Sequence, residues 1–437
     1  MNVNLCWIDH SFINDEIRQE LRKIAEQKIK QPSCYMKLFE GRDDILIPNE
    51  KDYNENVIFF YNYRLLALFR FWNVIYYFYP YKYLIDQSWD IVLSDFIPQF
   101  ITASNIPSFH NIIRKLTTRM NDGHVITNVS HFYDIFKFSY ITLVDTFTVI
   151  RTPQEGSSLK RGDIILSLNN QNIRSVRDSV AVWITSSNNH FTENAINGWI
   201  YHVINNGCSI TVLRNQQVMT FKEDQKAVRT NTEVPLSFYE ISNDIYYTNL
   251  AKLKSAEVPG LMDSLKNYKS IIIDLRNYPV NSGFDELLCN LSQTQDFDYA
   301  MSTCVDFSHY GAFYILNQHV TFPDELLRKR KYYNGKVVVL INSSTMSAAE
   351  TKAMCFRNHG ATLVGTRSAG ANGGVIDVSL FGGITVSYPC YGFYFPDGTQ
   401  IQKTGIIPDI EIYPTMDDIE AGRDEIIEAA IKFINFQ

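Results

Sequence analysis

Ser347 stands out because it falls between two segments of different predicted structure. Val337 to Ile341 is a β-branched apolar run typical of a buried strand, and residues 348–356 are rich in helix-forming residues. A serine at such a junction can act as a nucleophile, since the free amides of the first helical turn stabilise an oxyanion beside its hydroxyl. The alternative is that Ser347, or a neighbour such as Thr345, only caps the helix.

His124 is one of nine histidines, and it lies where the predicted structure changes. It follows Gly123, which ends a predicted helix, and it begins a β-like stretch. An imidazole with a pKa near neutrality can take a proton from a serine and return it to a leaving group. We assign surface or packing roles to the other eight histidines, at positions 10, 110, 131, 190, 202, 309, 319 and 359.

Composition excludes several classes of protein. The net charge of −7 and the absence of a sustained basic block argue against a nucleic-acid partner. Seven cysteines without CxxC pairs or metal-ligand spacing predict free thiols, and no metal or organic cofactor is expected. No apolar run is long enough to span a membrane. The first residues do not resemble a signal peptide, which leaves open a cytoplasmic protein or a trimmed targeting segment.

Length and pattern predict an α/β protein with three domains. At 437 residues the chain is too long for one core. Residues 1–130 read as a helical cap that carries His124, and 131–230 as short strands and turns. From 231 to 437 strands alternate with helices, which predicts a layered core with a largely parallel sheet. Ligands of such sheets bind beyond the carboxyl ends of the strands, where Ser347 lies.

The segment from Gly156 to Ile173 is similar to the core of a PDZ domain. The motif is Leu159, two residues, then Gly162 and Asp163, followed by a strand and an asparagine-rich turn. PDZ modules bind an extended peptide by adding it to the edge of a sheet. The alternative is a small β-domain without that function.

These pieces together resemble the serine peptidase superfamily of C-terminal processing peptidases, tricorn-core peptidases and interphotoreceptor retinoid-binding modules. The resemblance runs from about residue 60 to the end of the chain. It rests on five motifs in the family's order: Asn121 to His124, the PDZ-like Leu159 to Asp163, Ile273 to Arg276, Ser347 to Glu350 with Val364-Gly-Thr downstream, and Gly405 to Asp409. It implies a ClpP/crotonase-like layered core with a helical cap and an inserted PDZ-like domain.

The superfamily has two catalytic designs, and the sequence favours one of them. Relatives of the Ser/Lys type carry a lysine where this chain has Ala371, which cannot accept a proton. The resemblance therefore implies the tricorn-like Ser/His design, with Ser347 as nucleophile and His124 as base. Gln402 stands where the family has a glutamate that orients the base; it can form hydrogen bonds but carries no anion.

The oxyanion hole implied by the resemblance also departs from the family. The family's loop after Asp274-Leu-Arg276 lends a backbone amide, but Pro279 has none. We expect the amide of Val280 to replace it, paired with that of Ala348. Asp274 and Arg276 are expected to fix the loop, and Glu350 to support the site or to stabilise the helix.

The resulting hypothesis is a serine endopeptidase or processing peptidase that acts on extended polypeptides without a cofactor. A non-catalytic peptide- or lipid-binding module on the same fold is the main alternative, and an esterase is the third. The resemblance implies an extracytoplasmic location in bacteria. The natural substrate and the oligomeric state are left open by the sequence.

Overall fold

The computed structural model describes residues 2–27, 60–129, 140–224, 237–280, 282–309 and 311–436, together with the backbone of 37–38 and 45–46. The helices are α1 Asp15–Glu26, α2 Tyr61–Phe78, α3 Trp89–Thr102, α4 Ile106–Thr118, α5 Ile173–Ala181, α6 Asn189–Asn205, α7 Val258–Leu265, α8 Phe284–Leu291, α9 Asp324–Lys329, α10 Ala348–Asn358, α11 Met416–Ala421 and α12 Glu425–Asn435. The strands are β1 Lys37–Leu38, β2 Ile45–Leu46, β3 Ile126–Thr127, β4 Ile141–Val144, β5 Phe147–Ile150, β6 Ile164–Leu168, β7 Gln171–Asn172, β8 Cys208–Arg214, β9 Gln217–Glu223, β10 Phe238–Ser242, β11 Ile245–Asn249, β12 Ser270–Asp274, β13 Asp296–Val305, β14 Phe313–Thr321, β15 Lys336–Ile341, β16 Thr362–Gly365, β17 Val375–Ser379, β18 Thr385–Pro389, β19 Gly392–Tyr394 and β20 Ile410–Glu411.

The chain divides into two compact units, and each draws on separate parts of the sequence. Unit 1 takes its described residues from 1–130, 301–318 and 372–402, and unit 2 from 131–300, 319–371 and 403–437. The predicted boundaries at 130 and 230 lie outside the described residues, as do Cys34, His131 and most of the polar segment predicted up to residue 56. The division into three consecutive domains stays a prediction.

The central sheet of unit 2 confirms the predicted mixed α/β class. Its six strands run in the order β10-β11-β12-β15-β16-β20, and all neighbours are parallel except β10 and β11. The two central strands β12 and β15 contain continuous apolar runs, at 271–273 and 337–341, as is usual for parallel strands that are covered on both faces. Asp274 of β12 pairs with Leu340 of β15. The segments that follow these two strands therefore leave the sheet at the same edge.

A second sheet of unit 2 lies within the segment predicted to be PDZ-like. Its strands run in the order β4-β5-β6-β8-β9, with β7 paired to β6. Helices α5 and α6 were not predicted, because α6 contains asparagine, glycine and β-branched residues that form isolated helices poorly. Buried side chains such as Phe191, Ile196 and Ile200 stabilise α6 by packing, and tertiary contacts outweigh propensity here.

The core of unit 1 is built from α2, α3 and α4, which lie in the part of the chain that the sequence predicts to be helical. Large aromatic side chains fill it, including Phe71, Phe96 and Phe109, together with Tyr388 from β18. The sheet β17-β18-β3 joins this core through the pairing of Val386 with Thr127. This pairing fixes the chain just after His124.

The sequence from Asp417 to Phe436 predicts one closing helix, and this prediction was wrong. Two helices, α11 and α12, are separated by Gly422, which has φ +73°. Glycine adopts this left-handed conformation without the steric cost that a Cβ brings. Asp424 then begins α12, and its side chain accepts the N–H of Ile427.

The described residues contain six cysteines and no candidate membrane span. The six cysteines in this part of the chain are thiols. No described helix is both long enough and apolar enough to cross a lipid bilayer.

Asp163 of the Leu159-to-Asp163 motif makes a buried ion pair that gives a first prediction. Arg214 donates to both of its carboxylate oxygens at 2.6 Å, and Asp163 is 1% exposed. Asp163→Asn leaves the guanidinium without its counter-ion, so we expect the free energy of unfolding of this part of the chain to fall by about 3 kcal/mol. Chemical denaturation measures this loss. Asp244→Asn, which breaks the exposed pair with Lys269, is the control and should cost less than about 1 kcal/mol. Equal losses in the two variants would contradict the prediction.

Candidate functional site

Ser347 lies in unit 2, on the turn between β15 and α10, in a backbone conformation that is rare for a side-chain-bearing residue. Its φ is +55° and its ψ is −124°. Such conformations cost about 1–3 kcal/mol and occur at functional sites, where the surrounding structure holds them in place. The Ser347 side chain makes no capping hydrogen bond to α10. The capping alternative therefore does not explain this residue.

The neighbouring hydroxyl groups of the turn have structural partners. The hydroxyl of Thr345 accepts the N–H of Asn342 at 3.0 Å and donates to the carbonyl of Leu275 at 3.1 Å. The hydroxyl of Ser344 accepts a hydrogen bond from the Asn194 side chain at 2.9 Å. These contacts tie the turn to the segment after β12 and to α6.

A loop of four residues, 368–371, holds the serine turn from its other side. The N–H of Ser347 donates to the carbonyl of Ala371 at 2.8 Å, and the N–H of Ala369 donates to the carbonyl of Thr345 at 2.9 Å. Because its N–H is engaged in this way, Ser347 cannot offer that amide to an oxyanion. Ala348 is the first residue of α10, where backbone amides point out of the helix. Its role as an oxyanion donor stays a prediction.

Glu350 joins α10 to the 368–371 loop through a fully buried carboxylate. One oxygen accepts the hydroxyl of Ser368 at 2.5 Å and the N–H of Gly370 at 2.8 Å, and the other accepts the N–H of Ala371 at 3.1 Å. Burial raises the pKa of Glu350 to about 7, although these hydrogen bonds lower it in part. The carboxylate thus acts on the loop that holds Ser347.

The segment from Asp274 to Val280 contains the other predicted residues of unit 2. The carboxylate of Asp274 accepts bonds from the Arg276 guanidinium, at 2.8 Å to the nearer nitrogen, and from the hydroxyl of Tyr247 at 2.8 Å. Arg276 also pairs with Asp424 at 2.8 Å. The N–H of Val280 donates to the carbonyl of Tyr278 at 3.1 Å. Val280 would have to release that bond to serve as the predicted oxyanion donor.

His124 lies in unit 1, where it is 4% exposed. Its backbone N–H donates to one oxygen of Asp122 at 2.9 Å, and the other oxygen accepts the hydroxyl of Tyr79 at 2.8 Å. Neither ring nitrogen has a hydrogen-bond partner among the described residues of its unit. Burial lowers the pKa of His124, and the nearby Asp122 opposes this shift. The ring is therefore neutral near pH 7, with one nitrogen that can accept a proton and one that can donate.

Gln402 also lies in unit 1 and is buried. Its side-chain oxygen accepts the N–H of Asn372 at 3.3 Å. The carbonyl of Asn372 accepts the hydroxyl of Tyr81 at 2.9 Å. Gln402 thus supports the turn that follows Ala371, the residue at the family's lysine position.

Unit 2 contains six of the predicted site residues, and unit 1 contains two. Those of unit 2 are Asp274, Arg276, Val280, Ser347, Ala348 and Glu350, and those of unit 1 are His124 and Gln402. Sequence reasoning missed Asn188, Ser368 and Asp122. Asp122 had a signal, because an acidic residue two positions before His124 can accept its backbone N–H. No cluster of side chains that could hold a metal ion occurs in the described parts of the chain.

The raised pKa of Glu350 gives a second prediction, about stability and pH. Its ordinary value is 4.5 and its folded value is about 7, so folding takes up a proton between these values. This contribution to stability is complete below the ordinary pKa and is lost as the pH rises through about 7. We expect the free energy of unfolding of the parent, relative to Glu350→Gln, to fall by about 3 kcal/mol from about pH 4.5 to about pH 8.

Denaturation of both proteins across this pH range measures the difference. Glu325→Gln is the control, because a hydrogen bond from Lys329 lowers the pKa of this exposed residue and its slope has the opposite sign. A parent-to-variant difference that does not depend on pH would contradict the assignment of a raised pKa to Glu350.

Comparisons with known proteins agree with this architecture. Residues 244–412 match peptidase family S41. A carboxy-terminal-processing protease of Bartonella bacilliformis is 26% identical over 232 residues, which are 50% of this chain and 50% of that protein. The chain thus spans about half the length of the curated relative that it matches.

Two solved structures share the fold. Mature CPAF complexed with lactacystin has a TM-score of 0.66 at 14% identity, over 86% of this chain and 98% of that one. A protein from Parabacteroides merdae ATCC 43184 has a TM-score of 0.51 at 14% identity, over 86% and 96%. These two likenesses show the fold alone, and the match of residues 244–412, from β11 to β20, identifies this part of the chain as a domain of peptidase family S41.

Proposed function

We propose that this protein is a serine peptidase that hydrolyses peptide bonds in extended polypeptides. The observation that carries the proposal is the conformation of Ser347, a strained serine whose hydroxyl does not cap the helix that it begins. Family S41 membership of residues 244–412 and the similarity to a carboxy-terminal-processing protease support the same reaction.

The proposed mechanism begins with attack of the Ser347 hydroxyl oxygen on the scissile carbonyl carbon. His124 takes the hydroxyl proton and then gives it to the leaving amine, which departs as the carbonyl re-forms. Water, activated by the same imidazole, then hydrolyses the acyl-enzyme. The neutral, buried imidazole supports this role, because a base must begin the reaction unprotonated. Gln402 orients the base in this proposal.

The amides of Ala348 and Val280 are proposed to stabilise the oxyanion. The first position of α10 supports the assignment of Ala348, since unpaired first-turn amides and the helix dipole favour a negative charge. The N–H of Val280 donates to the carbonyl of Tyr278, so this hydrogen bond must break before Val280 can bind the oxyanion. The ion pair between Asp274 and Arg276 is proposed to fix the conformation of this loop.

The PDZ-like segment is proposed to present the polypeptide. Strand β4 is at the edge of its sheet, and a cavity beside it is lined by Tyr140, Ile141, Tyr201 and Ile204. Among the described residues β4 pairs only with β5, and a sheet edge next to an apolar cavity is the arrangement by which sheets add a peptide strand. The extracytoplasmic location rests on family resemblance alone and is part of the same proposal.

A non-catalytic binding module is the second candidate. The engaged amide of Val280 and the uncharged Gln402 favour it, because both weaken the proposed catalytic apparatus. A test of serine reactivity distinguishes the two candidates, and hydrolysis of peptides against simple esters distinguishes a peptidase from an esterase.

Labelling by a fluorophosphonate probe, read by intact mass and peptide mapping, gives the third prediction. We expect one adduct on Ser347 of the parent and none in Ser347→Ala. His124→Ala should slow labelling by about 100-fold or more, because general-base catalysis contributes about that much. Ser343→Ala and the exposed His319→Ala are the matched controls and should label at the parent rate. A folded parent without an adduct would rule out the peptidase proposal and favour the binding module.

The pH dependence of this labelling gives the fourth prediction. The pKa of His124 is lowered from its ordinary value of 6.5 by burial, so more than half of the imidazole is neutral at pH 6.5. The labelling rate should be highest near pH 8 and should fall to half of that value only below pH 6.5. Glu350→Gln should keep this profile if His124 is its source. A fall in labelling rate with a midpoint above pH 6.5, or the absence of that fall in Glu350→Gln, would contradict the assignment of His124 as the base.

A further inference from the structure

One face of α6 contacts the serine turn and the 368–371 loop, although α6 lies more than 140 residues before Ser347. Asn188 begins the helix, and its side-chain oxygen accepts the N–H of Phe191 at 2.9 Å. Its side-chain nitrogen donates to the carbonyl of Ser368 at 3.1 Å and to that of Ala369 at 2.9 Å. One amide side chain therefore caps the helix and binds the loop.

The next two turns of α6 extend this contact. Phe191 packs in a small buried cluster with Met346, Ala369 and Ala371. Asn194 donates to the hydroxyl of Ser344 at 2.9 Å. Residues 188, 191 and 194 are spaced by three, so they share one face of the helix. This face contacts the chain just before Ser347 and also the loop that accepts its N–H.

The 368–371 loop connects α6 to Ser347, because it contacts both of them. Ala371 accepts the N–H of Ser347, and Glu350 holds the loop amides from α10. Gly370 has φ +64°, and a Cβ there would lie 2.9 Å from the side-chain nitrogen of Asn188. The Asn188 side chain therefore lies directly against Gly370 of the loop.

We propose that Asn188 is a positioning residue that maintains the strained conformation of Ser347 through the 368–371 loop. The inference rests on the proposed role of Ser347 as nucleophile. Asn188 lies in the segment predicted to be PDZ-like, so this segment would support the conformation of Ser347 as well as present the substrate. The two carbonyls of the loop require a donor at this position, and the side-chain N–H groups of Asn188 supply both hydrogen bonds.

Asn188→Asp tests the proposal while it preserves the helix cap. Aspartate caps helices as well as asparagine does, but its carboxylate cannot donate and would face two carbonyl oxygens. The matched control is Asn172→Asp, since Asn172 caps α5 through the N–H of Arg174 and has the same change of charge. Asn188→Ser is the second variant, because serine also caps helices and adds no charge.

Two measurements are compared for each folded variant: the rate of fluorophosphonate labelling of Ser347, and amide hydrogen exchange of residues 342–350 and 366–372. We expect Asn188→Asp to slow labelling at least tenfold and to speed exchange in both segments. Asn188→Ser should give smaller changes of the same sign, and Asn172→Asp should remain within twofold of the parent in both measurements.

Three results would overturn the positioning role. These are labelling of Asn188→Asp and Asn188→Ser at the parent rate, slower labelling without faster exchange in the two segments, and equal effects of Asn172→Asp. A parent that takes up no probe would overturn the proposed function instead. Exchange in the two segments would then decide the positioning role by itself, because it needs no reactive serine.

Discussion

The conformation of Ser347 is the constraint on which the rest of the site in unit 2 depends. A side-chain-bearing residue at φ +55° is about 1–3 kcal/mol less stable than in ordinary backbone regions. Hydrogen bonds to Ala371 and Thr351, each worth about 1 kcal/mol, can offset that cost only if their partners are themselves fixed. The 368–371 loop is held by hydrogen bonds from its own amides to Glu350 and from Asn188 to its carbonyls. These contacts stabilise the loop and, through it, the unusual backbone conformation of Ser347.

A buried carboxylate holds this loop, because it accepts three hydrogen bonds from loop residues at once. The backbone amides of Gly370 and Ala371 donate to different oxygens of the same carboxylate, so one side chain binds two successive residues of the loop. Glu350 supplies that acceptor from α10, the helix that begins with the serine turn. The cost of burying the charge appears as a raised pKa, so the same group links the arrangement of the loop to its own protonation.

The parts of the fold that the sequence predicted are those with strong local patterns. Strands β12 and β15 contain apolar β-branched runs, α2 is an apolar stretch that ends just before Pro80, and α10 is rich in helix-forming residues. Helix α6 was missed, because its residues form a helix only when Phe191, Ile196 and Ile200 are buried. The break at Gly422 was missed because the apolar spacing continues on both sides of it.

By itself, the sequence determined the order of the motif positions and predicted a role for each: His124, Ser347 and Gln402 as candidates for the chemistry, and Asp274 as support for a loop. Only the tertiary structure decided how they are supported. Asn188 and Ser368 are 180 residues apart, and Glu350 and Ala371 are 21 residues apart. Local periodicity reports which face of an element is buried but does not report its partner. The contacts that hold Ser347 exist only once distant segments pack against each other, because each isolated segment would satisfy the same polar groups with water.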